Sequence, residues 1–331
     1  MSDLFRCSDA ARERDDPLLG TAPPQGRLLL IEQDGGWGPN ALASLAVPDD
    51  VRGQIRERTD AMGTRVMLIR RPGRQTSTVC DLRAWCVVDL SAPAGHRMTW
   101  GTWSYPTDLL AAVDRAEELH RGATGAGTPP GDDEMMLLVC TNGRKDLCCA
   151  VRGRPVATAL EGRWPEQTWE CTHTGGDRFA ANVVVLPEGA TYGGLDVDSA
   201  VETVLAHQQG NAGALGRRHL RGLIGHPRPV QAALVGALLE LDLSWGQVRV
   251  GAGTTQTALV PEDEVTARSG ELSAAGTPVA RWHIDLDVTD GRELVAQVTE
   301  HLRPAAALTC KAVDSPAHSR VPVVESLAPR T

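Results

Sequence analysis

Four cysteines, Cys140, Cys148, Cys149 and Cys171, fall within 32 residues of a chain of 331, and no other feature constrains the fold so tightly. The remaining four, Cys7, Cys80, Cys86 and Cys310, are scattered and read as small buried hydrophobes. The opening stretch MSDLFRCSDAARERDD lacks the apolar segment of a signal peptide. Apolar stretches such as Val230–Leu239 are too short to span a bilayer. These features lead us to expect a cytoplasmic protein with no membrane partner, in a compartment where clustered thiols are not a disulfide frame. With 33 basic against 42 acidic residues the net charge is −9, which argues against nucleic acid as a partner.

Length calls for more than one domain. Two stretches read as linkers, Arg121–Asp133 (RGATGAGTPPGDD) and Gln208–Gly216 (QQGNAGALG). They divide the chain into segments 1–121, 133–208 and 216–331. In the middle segment, Met135–Val139 reads as a buried strand. A helix over Cys148–Leu160 follows, interrupted by Gly153 and Pro155. Strands are expected at Thr168–Cys171, Ala180–Leu186 and Ala190–Leu195, then a closing helix over Asp196–Ala206. The order β-α-β-β-β-α is a thioredoxin-like pattern.

The first segment repeats it loosely. Strands are expected at Leu28–Ile31 and Arg65–Ile69, with a helix over Asp49–Met62 capped by Asp49 between them. A hairpin of Trp85–Leu90 and Met98–Thr102 and a helix over Thr107–Leu119 complete the repeat. We read this segment as a degenerate thioredoxin-like copy. The third segment is α+β, with helices over Pro229–Leu241 and Arg292–Leu302. Strands are expected there at Gln247–Val250, Val279–Val288, Leu308–Val313 and Val321–Val324. The fold class is therefore α/β, with the copy in front and an α+β domain of unassigned role behind.

The chemistry lies in VCTNGRKDLCCAVRGRP and WECTHTGGDRFAANVVVLPEGATYGG. Cys140 ends a strand. Cys149, nine positions on, sits near a helix N-terminus, where the dipole and unpaired N–H groups favour thiolate. Cys171 and His173 lie two apart at a strand end and share a face. Gly175 and Gly176 give a tight turn whose N–H groups can bond to cluster sulfides. Two such loops can hold a metal centre. A gap of nine lacks the close Cys pairs of structural zinc sites, yet four N/S donors suit zinc as well as iron. Spacing alone points to a metal site, with iron–sulfur ahead of zinc.

The two stretches CTNGRKDLCC and HTGGDRFAANVVVLPEGATYGG resemble the sucrase/ferredoxin-like family, as do CSDAARERDDPLLGTAPP and WGPNAL near the N-terminus. The resemblance is specific between residues 140 and 194 and weak beyond residue 230. It implies a thioredoxin-like ferredoxin domain with a [2Fe–2S] cluster. One iron would take Cys140 and Cys149, the other His173 and the residue four beyond. That residue is histidine in the family pattern and Asp177 here, a departure that leaves Cys171 as a rival fourth ligand. Cys148 would be a neighbour. Arg178, with Arg144 and Lys145, could offset the cluster's negative charge.

The function implied is one-electron transfer to an unidentified redox partner, and catalysis is not implied. Histidine ligation would raise the potential and couple it to pH. Two rivals stand beside it: a thiol–disulfide enzyme using Cys140 with Cys149 or Cys148, and a scaffold stabilised by zinc. His219, His226, His283 and His301 match no ligand template and read as solvated. Trp100, Trp103, Trp164 and Trp169 flank the motifs and serve either as a shield or as core.

Overall fold

The computed structural model describes residues 5–74, 82–122, 134–211, 218–259 and 275–330. Cys80 and the greater part of both expected linkers lie outside the described residues. The fold is mixed α/β. Its described contacts form two compact units, each built from separate stretches of chain. One comprises residues 25–174 and 181–189. The other comprises residues 1–24, 175–180 and 190–331.

The helices, in chain order, are α1 (Cys7–Glu13), α2 (Ala41–Ser44), α3 (Asp49–Ala61), α4 (Leu109–His120), α5 (Leu147–Arg163), α6 (Val197–Gln208) and α7 (Arg228–Glu240). Strands β1 (Arg27–Glu32), β2 (Arg65–Arg70), β3 (Arg83–Asp89), β4 (Met98–Trp103), β5 (Met136–Cys140), β6 (Thr168–Cys171) and β7 (Val183–Leu186) belong to the first unit. Strands β8 (Ala190–Tyr192) to β14 (Arg320–Pro329) belong to the second.

Within the first unit the strands run in the order β4-β3-β1-β2-β6-β5-β7. β1 pairs parallel with β2 and antiparallel with β3, and β5 pairs parallel with β6 and antiparallel with β7. The same β-α-β unit with an antiparallel third strand therefore occurs twice. The two copies meet where β2 and β6 pair antiparallel, Ile69 opposite Cys171 and Arg70 opposite Glu170. On the N-terminal half, Leu29, Ile31, Leu68, Trp85 and Val87 bury one sheet face against Ile55 of α3 and Leu109 and Val113 of α4. Trp103 belongs to this core.

Several elements differ from the sequence expectation. Helix α5 runs unbroken through Gly153 and Pro155. Gly153 is there because the helix lies against the end of β5: a Cβ at this position would fall 2.2 Å from the Cys140 carbonyl oxygen. Pro48 occupies the cap position of α3, so Asp49 is its first residue, where a carboxylate still favours the helix dipole. Residues 177–179 form a 3₁₀ turn, so β7 begins later than expected.

In the second unit, β10 (Val248–Val250), β12 (Thr277–Val288), β13 (Glu293–Leu302) and β14 form a sheet in that order, with β11 (Thr255–Ala258) also pairing with β12. The expected helix over Arg292–Leu302 is β13, paired antiparallel on both sides. Its residues Leu294, Val298 and Leu302 recur at a helical interval, but Leu294, Ala296 and Val298 also alternate, and both neighbouring strands bury that face. Leu308–Val313 forms turns rather than a strand. Helix α7 covers the sheet through Ala233, Leu234, Ala237 and Leu238. No helix among the described residues is long and apolar enough to cross a membrane.

The β2–β6 junction carries a buried ion pair, Arg70 to Glu170, with Arg70 also lying 4.2 Å from the centre of the Trp37 ring. Breaking such a pair strands a charge in the interior. We expect Glu170→Gln to cost about 3 kcal/mol in urea unfolding. An unchanged midpoint would show that the junction holds without the charge. For Gly153→Ala, overpacking predicts a loss of about 1–3 kcal/mol in the same measurement, because the Cys140 backbone is what the new methyl meets.

Candidate metal centre

Strand β5 is buried along its whole length and ends at Cys140. Its edges are fixed on both sides. The Cys140 amide donates to the Asn182 carbonyl at 3.1 Å, and the Thr141 amide to the Cys171 carbonyl at 3.2 Å. The polar loop that follows is organised by Asn142. Its amide nitrogen reaches the Gly38 carbonyl at 2.9 Å, while its side-chain oxygen accepts from the Arg144 amide at 3.2 Å. Asp146 then caps α5, accepting from the Cys148 amide at 2.9 Å, and is fully buried. This cap starts the helix at Leu147 and so places Cys149 in its first turn.

The second loop leaves β6. Parallel pairing sets Cys140 opposite Cys171, so both strands end side by side. Thr172 is tied to β2 twice: its amide donates to the Leu68 carbonyl at 2.9 Å, and its hydroxyl accepts from the Leu68 amide at 3.1 Å. The Arg65 guanidinium donates to the carbonyl of His173. The backbone on either side of the His173 ring is thereby held.

These two loops bring the Cys140 sulfur, the Cys149 sulfur and a ring nitrogen of His173 within 4.8 Å of one another. Both cysteines are buried, and His173 is half-buried. Two sulfurs and an imidazole nitrogen are three donors of the softness that zinc and iron–sulfur centres take. The residues present fit a metal centre, with one donor still to be supplied.

The other expected ligands are placed differently. Cys171 is fully buried and is not a member of that group of three. Burial, reinforced by the neighbouring Cys140, pushes its thiol well above the usual range, against a smaller opposing pull from Arg65. Cys148 is also buried and outside the group, as expected for adjacent helical residues that point about 100° apart. Asp177 belongs to the other compact unit, which takes up the chain at Gly175. There it opens the 3₁₀ turn and is buried.

Gly175, Gly176 and Arg178 are part of the packing of that second unit. Arg221, fully buried, donates to the carbonyls of Gly175 at 2.9 Å and Thr21 at 2.7 Å. A Cβ on Gly176 would fall 2.2 Å from the Arg221 guanidinium, and one on Gly175 2.3 Å from the Pro23 ring. Arg178 pairs with Asp16 at 3.2 Å, and burial lowers its pKa to about 10. Its ring contact is Phe179.

Three of the four tryptophans that flank the motifs make ring or arginine contacts, with Arg83 over Trp103. Trp100 stacks with Trp169 at 6.0 Å between centres, and Arg71 covers Trp169. Among the described residues, none of His219, His226, His283 and His301 joins a group of three metal-ligating side chains. Sequence reading missed the Arg65 clasp on His173. It also missed a cavity of about 480 Å³ beside His173, walled by Arg56, Arg65 and Lys145. Arg65 sits 108 positions from His173, and only the β2–β6 pairing joins them.

No curated protein and no solved structure matches the chain. A family model described as sucrase/ferredoxin-like matches residues 18–222, which spans both β-α-β copies and the two ligand loops. The chain belongs to the sucrase/ferredoxin-like family.

Proposed function

We propose that this protein is a one-electron carrier holding a [2Fe–2S] cluster through Cys140, Cys149 and His173, with Cys171 or Asp177 as the fourth ligand. The cluster would sit in a thioredoxin-like ferredoxin domain, residues 133–208. A degenerate thioredoxin-like copy, 1–121, precedes it and an α+β domain, 216–331, follows. The observation that carries the reading is the convergence of two sulfurs and an imidazole nitrogen from two loops within 4.8 Å. Membership of a ferredoxin-like family supports it.

When bound, such a cluster accepts and returns one electron, and neutral imidazole in place of thiolate raises its potential. The chain's own residues supply the setting. Asp146 holds Cys149 at the helix start, and Thr172 and Arg65 hold the loop that bears His173. Burial of both cysteines keeps water from the sulfurs. The partner would be a redox protein that meets the half-buried His173 edge.

One observation favours a second reading. Three donors within 4.8 Å suit a single ion bound at about 2.3 Å from thiolate and about 2.0 Å from imidazole, which is the geometry of zinc. A thiol–disulfide enzyme built on Cys140 and Cys149 is the third. Anaerobically purified protein decides among them. The cluster predicts two irons per chain, visible absorption bleached by dithionite, and an EPR signal of the reduced form. Cys140→Ser, Cys149→Ser and His173→Ala should each remove that signal. Of Cys171→Ala and Asp177→Ala, the one that alters it identifies the fourth ligand. Colourless protein with one zinc per chain establishes the second reading, and colourless protein without metal the third.

A further inference from the structure

The cavity beside His173 has a chemical character of its own. Its volume, about 480 Å³, lies in the range of about 300–1,000 Å³ typical of small-molecule sites. Three cations reach its wall from three separate elements: Arg56 from α3, Arg65 from β2 and Lys145 from the loop before α5. Asp60 is the one carboxylate among its lining residues, so positive charge is in excess.

Part of the positive charge of the same unit is offset by nearby carboxylates. Arg27, Arg52, Arg58, Arg70 and Arg71 are each paired with a carboxylate. Arg56 and Lys145 make no ion pair among the described residues, although the chain as a whole carries a net charge of −9. A protein rich in carboxylates has nevertheless left two cations facing one hollow. Arg65 differs, since it also grips the His173 carbonyl.

We propose that this cavity binds a small organic anion bearing phosphate or multiple carboxylate groups. Guanidinium groups match the paired oxygens of either class, and the Lys145 ammonium adds a point charge free to turn. Asn40, on the same wall, has its side-chain oxygen committed to the Ala43 amide at 3.0 Å, so its NH₂ is the group it can turn toward an anion. A hollow of this volume, with cations converging on it from three elements, favours a small molecule over the acidic surface of a protein. His173 lines the cavity, so an occupant would sit against the same side chain that faces the two cysteines.

Calorimetric titration of the full chain tests this, with inorganic pyrophosphate, citrate and a hexaglutamate peptide as probes. Binding needs no metal, so its outcome is separate from that of the cluster experiment. We expect saturable one-to-one binding of pyrophosphate or citrate that weakens as sodium chloride is raised. Arg56→Gln and Lys145→Gln should each weaken it about tenfold, and Asp60→Asn should tighten it. The stronger of the two small probes gives the class, phosphate or carboxylate. Lack of saturation by about 10 mM overturns the proposal. So does binding that ignores all three substitutions, and so does a preference for hexaglutamate, which would assign the surface to an acidic protein.

Discussion

The pairing of β6 with two partners is the constraint on which the centre depends. On one side β6 runs parallel to β5 and brings their carboxyl ends level, with Cys140 opposite Cys171. On the other it meets β2, so that Leu68 and Arg65 can hold Thr172 and His173. A slip of one residue in either register would turn His173 and its partners to opposite faces. The buried Arg70–Glu170 pair marks this register, since it forms only where Arg70 stands opposite Glu170. The N-terminal β-α-β half thus contributes more than a core of its own: it supplies the clasp on His173, which the C-terminal half bears.

Much of this was legible along the chain. The apolar runs of β1, β2, β5 and β7, the hairpin of β3 and β4, and the amphipathic helices α3 and α4 all follow from local pattern. Cys140 and Cys149 stand out because one ends a strand and the other lies near a helix start, and the family resemblance is what implies their pairing. The strand end marks Cys171 and His173 alike, and the resemblance is what implies His173 as a ligand. Other features were not local. Glu293–Leu302 satisfies a helical and an alternating period together, and only β12 and β14, which flank it, select the strand. Gly153 looked like a breaker because its reason, the Cys140 carbonyl, lies on another element.

Gly175 and Gly176 show the same limit. In sequence they resemble a turn that offers N–H groups to a ligand. In the fold they leave room for Pro23 and for the Arg221 side chain, which come from far along the chain. Arg65 and Arg56 carry no motif, and Lys145 stands out only as part of CTNGRKDLCC. Their grouping is a product of strand order, and the charge they gather is invisible in a composition that is acidic overall.

Main-chain anchoring of the second loop has a consequence for how such a centre can change over time. Arg65 grips the carbonyl of His173, and Leu68 grips the backbone and hydroxyl of Thr172, so these contacts hold the loop without using the imidazole. The donor at position 173 is therefore interchangeable in principle: a different side chain could be substituted there while the support beneath it stays put. A lineage built this way can retune its donor set one residue at a time, and an engineer could do the same.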